Sequence, residues 1–206
     1  MKTLQPKEAI AYGWKTTTSN FLFFVGIMAI LFIGGSLVPR MLGGSFGHDY
    51  HTSAAGLGLI GGIIGALISA YIRLGVMKIS LKAVDKKELK YDDVWSINTI
   101  FWPYLIASIL FGVSVALGSI LLIVPGIMIA IAWMFYTYLI IDKGLQPVEA
   151  LKKSAEITKG YRWQLFGFMI VLVLINIAGA IVLGIGLLWT VPTTMIALAH
   201  MYRQLV

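Results

Sequence analysis

The chain has 206 residues; 59% are hydrophobic, only 12% are charged, and the mean hydropathy is +0.89. A soluble domain carries about twice that charged fraction, so a disordered chain and a soluble enzyme with a large wet surface are excluded. No cysteine is present, which removes a disulfide scaffold, a thiolate nucleophile and any Cys-based metal site.

A bilayer core of ~30 Å takes ~20 apolar helical residues to cross. Stretches free of Asp, Glu, Lys and Arg therefore set the spans. The first, Phe21 to Pro39, predicts a span over 20–38. A loop follows, carrying His48, Asp49, Tyr50 and His51. Near-adjacent ligands on a glycine-rich loop make a poor metal set, and no metal or other cofactor is expected. The second run begins at Gly56 and predicts a span over 56–80. In it Gly58, Gly61, Gly62 and Gly65 place small residues four apart, the spacing that lets membrane helices approach closely. Packing within the bundle is the plain reading, and pairing with a second copy the sharper one. Arg73, near the end of this span, is expected to snorkel to a lipid phosphate.

Phe101 to Ile141 is charge-free over 41 residues, too long for one span and right for two. Proline removes a helix hydrogen bond and clashes with the preceding turn. Val124-Pro125-Gly126 is therefore read as a hairpin between spans 100–123 and 126–142. The next segment is amphipathic. Pro147 suits a first helical turn and Gly160 a stop. Ala150, Leu151, Ser154, Ile157 and Thr158 fall on one face, with Glu149, Lys152, Lys153, Glu156 and Lys159 mostly on the other. This reads as an in-plane helix whose cations, with Arg162, lie near headgroup phosphates. Trp163 to Tyr202 gives two more spans, 162–188 and 190–205, broken near Gly184, Gly186 and Val191-Pro192. Asn176 sits mid-span, where an amide glues helices together.

The reading is all-α, a polytopic bundle of six transmembrane helices. Fifteen of the 16 Lys and Arg residues then fall on one side, with only Arg40 opposite. The positive-inside rule puts both termini in the cytoplasm. The net charge of +7 is explained by topology and anionic lipid, not by nucleic acid.

The chain also repeats. Leu4-Gln5-Pro6-Lys7-Glu8-Ala9 returns as Leu145-Gln146-Pro147-Val148-Glu149-Ala150, with a weaker copy at Leu89–Val94. VPGIMIAIAWMF at 124–135 matches VPTTMIALAHMY at 191–202. These give three parallel hairpin units, 4–82, 89–143 and 145–206, each led by a short amphipathic segment.

Over residues 70–205 the chain resembles a group of bacterial and archaeal integral membrane proteins of unknown function, related to the membrane domain fused to some glycerophosphodiester phosphodiesterases. The residues carrying the resemblance are Leu121–Gly126 with Pro125, Asp142, Glu149–Ser154, Ile157–Gly160, Leu165-Phe166, Gly184–Gly186, Pro192 and Tyr202-Arg203. The resemblance implies a six-helix membrane fold in the cytoplasmic membrane and no established activity. The chain carries no phosphodiesterase domain, so that chemistry is not implied.

No H-E-x-x-H, G-x-S-x-G or phosphate loop occurs, and no acid lies deep in a span. The expected function is therefore non-catalytic: a membrane protein that binds lipid or a membrane partner, itself or another chain, in envelope homeostasis or regulation. The alternative is a transporter or channel for a lipid or small amphiphile, with Asn176, Ser108 and Ser114 lining a polar cavity.

Overall fold

The computed structural model describes residues 4–34, 54–182 and 184–206. The described residues are helical, with no strand among them. His48, Asp49, Tyr50 and His51, like Pro39 and Arg40, lie outside the described residues.

Helix α1 (Pro6–Ser19) opens with Pro6 in its first turn, where a missing N–H costs nothing, and Glu8 beside the positive end of the helix dipole. It stops at Asn20, whose backbone N–H and side-chain amide both turn back to the Thr16 carbonyl. There the chain bends by 96° into α2 (Phe21–Phe32). An apolar helix thus begins near the residue 20 expected for the first span, and the far end of that expected span, 35–38, lies outside the described residues.

α3 (Ala54–Val84) has 31 residues and runs about 46 Å at 1.5 Å per residue. It is longer than a bilayer core, and its C-terminal half carries Arg73, Lys78 and Lys82. A 3-10 turn, Tyr91–Val94, follows. The middle leader is therefore this turn and not an amphipathic helix. It packs on α3 so closely that a side chain at Gly75 would run into the Val94 backbone.

α4 (Asn98–Leu121) and α5 (Ile123–Ala132) form the expected hairpin. The chain reverses at Leu122, which is extended. Pro125 then sits in the first turn of α5, where its missing N–H has no partner to lose. Gly126 packs against the Ser119 backbone. α5 breaks at Trp133–Phe135 before α6 (Tyr136–Lys143), which ends on Gly144 in the left-handed region. α7 (Pro147–Ile157) is the predicted amphipathic helix, stopped by Gly160 at φ 89°. α8 (Arg162–Ile181) ends seven residues before the predicted 188. α9 (Leu187–Leu205) contains Pro192 inside it. The second expected proline turn is thus a glycine turn: Gly184 at φ 74° reverses the chain, and Gly186 packs on the Gly179 backbone.

Four stretches are long and apolar enough to cross a membrane: Ile60–Val84, Asn98–Leu121, Ile123–Lys143 and Arg162–Ile181. The bent pair α1–α2 makes a fifth if taken as one broken span. The sixth expected span, 190–205, is not among them. α9 is the buried centre of the molecule: Thr190, Thr193, Thr194, Ile196, Ala197, Ala199, Met201 and Tyr202 are all covered. Protein, not lipid, surrounds it, so its threonines and His200 need not be apolar. By contrast only 17% of α4 and 22% of α8 is buried, and their outer faces carry Ile106, Ile109, Val113, Leu117, Val173 and Leu174. An apolar surface that large belongs in lipid.

Two clusters make the core. The larger joins α3, α4, α6, α7, α8 and α9 around Phe135, Tyr138, Leu139, Leu165, Met201 and Tyr202. The smaller joins α2, α3 and α9 through Phe24, Ile27, Ile72, Ile79, Val94 and Ile196.

Candidate functional site

The charged residues expected at the interface do not form one site. Arg73 is exposed on α3. On α7, Ala150, Leu151 and Ser154 are buried and Glu149, Lys152 and Lys153 exposed, as the helical pattern requires, and Lys159 just beyond the helix is exposed too. The Lys153 ammonium sits 2.9 Å from Glu156, and that hydrogen bond holds the Glu156 carboxyl below its ordinary range.

Arg162 differs. It opens α8 beside Trp163, with Phe166 one turn on, and these three face Val124, Ile127, Met128 and Ile131 of α5. The α5 residues recur at the spacing of one helical face. Together the two helices line an apolar groove of about 240 Å³, with Arg162 among its bordering residues. The Arg162 Nε is buried without a hydrogen-bond partner among the described residues. A buried donor left unpaired costs about 1–3 kcal/mol. The groove's wall is apolar and suits an apolar chain.

The intramembrane polar residues are paired elsewhere. Asn176 donates to the Leu172 carbonyl and to Thr194 Oγ1, both at 3.1 Å, while its Oδ1 is buried and unpartnered. Ser108 Oγ lies 2.9 Å from the Tyr136 hydroxyl. They sit at different helix contacts, and the principal cavities of the described residues are lined by neither, nor by Ser114. Along α3, Gly61 and Gly65 are buried in line with Ser69, whose hydroxyl donates to the Gly34 carbonyl just beyond α2. Gly62 faces open space, and Gly58 lies in the same helix two turns from Gly65.

An ion cluster escaped the sequence reading. Arg203, in the last turn of α9, holds Asp85 at 2.7 Å and Asp142 at 2.8 Å, and the Tyr202 hydroxyl donates to Asp142 at 2.9 Å. Burial opposes the Arg203 charge, but the two carboxylates outweigh it and raise its pKa above the ordinary value. Tyr202-Arg203 and Asp142 stood out in the sequence; that they meet Asp85 is a fact of the fold.

A family model described as protein of unknown function, DUF975, matches residues 115–206. The chain is thus similar to that family from the end of α4 to the C-terminus, a narrower stretch than 70–205. The match includes both the Arg162 groove and Arg203. No curated protein and no solved structure matches the chain.

Proposed function

We propose that this protein is a non-catalytic integral membrane module that binds an anionic, single-chain portion of a membrane lipid in the α5–α8 groove, with both termini on the cytoplasmic side of a bacterial or archaeal membrane. The observation that carries the reading is the apolar groove between α5 and α8, bordered by Arg162, whose buried Nε has no partner among the described residues. A lipid acyl chain matches Val124, Ile127, Met128 and Phe166, and its phosphate matches the guanidinium. The exposed cations Lys152, Lys153 and Lys159 add attraction to the same leaflet, worth ~1 kcal/mol each near an anionic surface. A role in envelope homeostasis or regulation suits such a module. The transporter reading draws less support, because Asn176 and Ser108 are engaged with Thr194 and Tyr136.

The test is native mass spectrometry of gently extracted protein with identification of bound lipid. Wild type is expected to retain an anionic lipid, Arg162→Gln to retain it about tenfold less, and a Lys152/Lys153/Lys159→Gln triple variant to show a smaller loss. Equal retention by wild type and Arg162→Gln sinks the groove reading.

A further inference from the structure

A second cavity, of about 650 Å³, opens between the end of α1, the start of α2 and the segment after α3. It shares no residue with the Arg162 groove. Lys15, Lys86 and Lys87 line it with Thr16, and Phe23 and Leu89 form an apolar wall. One carboxylate, Glu88, faces the three ammoniums, and Lys90 holds it at 3.1 Å. Lys87 lies 3.5 Å from Asp85, while no carboxylate among the described residues is within 4 Å of Lys15 or Lys86.

Lysines near helix C-termini ordinarily answer the free carbonyls there. Here those carbonyls are taken. The Tyr12 hydroxyl donates to Ala83 at 3.0 Å and Val84 at 3.3 Å. The chain's own N–H groups reach Leu81, Lys82 and Ala83. At α1, Asn20 caps Thr16, and Ser19 takes the Lys15 carbonyl. The Lys15 and Lys86 ammoniums are left over.

Lys86 adds a backbone argument. Its φ is 54°, and among the described residues it is the only non-glycine in the left-handed region. The turn that ends α6 also carries a left-handed residue, and there it is Gly144. A lysine held where glycine is relaxed is strain of the kind found at ligand clamps.

We infer that this cleft binds a phosphate-bearing anion, with its apolar portion against Phe23 and Leu89. Both a lipid headgroup and a free phosphate compound supply that chemistry. The full chain in neutral phosphatidylcholine nanodiscs is titrated with pyrophosphate, and separately scored for retention of phosphatidic acid. Lys86→Gly relaxes the turn and keeps the fold, and Lys15→Gln/Lys87→Gln removes charge without touching it; melting temperature reports folding of both. A drop of about tenfold in pyrophosphate affinity in either variant supports a soluble ligand. A loss confined to phosphatidic acid supports a headgroup. Arg162→Gln is expected to leave pyrophosphate binding unchanged. Binding of neither probe by wild type, or equal binding by wild type and both folded variants, overturns the inference.

Discussion

Gly13 is where one atom decides a helix contact. It faces α9, and a Cβ there would run into the Thr193 carbonyl and lie 3.2 Å from the Ala197 nitrogen. Both are backbone atoms and cannot swing aside. Gly13→Val is expected to destabilise the protein by about 2–3 kcal/mol through overpacking, read as a lower melting temperature. Asn176 points the other way. Its Oδ1 is already buried and unpaired, so Asn176→Leu removes an unsatisfied acceptor along with two hydrogen bonds. The expected change is under about 1 kcal/mol, smaller than helix glue in lipid suggests. A loss above that in the same unfolding measurement restores the glue role.

The α5–α6 break shows how one element completes another. Trp133 and Phe135 leave the helical conformation, which frees the Ala132 carbonyl and the Phe135 N–H. Ser154 of α7 serves both: its hydroxyl donates to Ala132 at 3.0 Å and accepts from Phe135 at 3.1 Å. Thr158 adds a bond to Ala132 at 3.1 Å. The polar residues on the buried face of α7 are thus there to mend a broken neighbour. Ser154→Ala leaves the buried Phe135 N–H unpaired, with an expected cost of about 1–3 kcal/mol. Thr158→Val is expected to cost less, since Ala132 keeps Ser154. Unfolding midpoints of the two variants give the order, and an inverted order refutes this division of labour.

Across the whole molecule, the N-terminal helix closes on the C-terminal one. α1 runs antiparallel along α9: the Gln5 N–H donates to Gln204, Tyr12 stacks on His200 with ring centroids 4.8 Å apart, and Trp189 donates to Thr18. The turn Tyr91–Val94 packs on α3, α7 packs on α6, and α1 packs on α9. Arg203 ties the ends of α3, α6 and α9 at one point. Arg203→Met leaves Asp85 and Asp142 facing each other half-buried, and about 1–3 kcal/mol is expected to be lost, discounted for solvent access. Because the chain has no cysteine, Thr17→Cys/Thr193→Cys is a clean probe of the closure; the two hydroxyls are 3.3 Å apart. Rapid disulfide formation in intact membranes is expected, and none is expected from Lys7→Cys/Thr193→Cys.

The sequence by itself determined the helical class, the membrane-scale apolar runs, the α1–α2 boundary at Asn20 and the two faces of α7. Each follows from local rules: charge-free length and helical spacing. It misplaced what depends on neighbours. Pro192 looked like a break but lies inside α9, while Gly184 makes the turn; Pro125 sits in the first turn of α5, just after the hairpin expected there. The stretch 190–205 was expected as a sixth span because its charges are few; α1, α3 and α8 cover α9, so its threonines face protein. The Arg162 groove, the Arg203 cluster and the Lys86 cleft each join residues far apart in the chain. No periodicity records those meetings, because only the folded backbone brings the side chains within bonding distance.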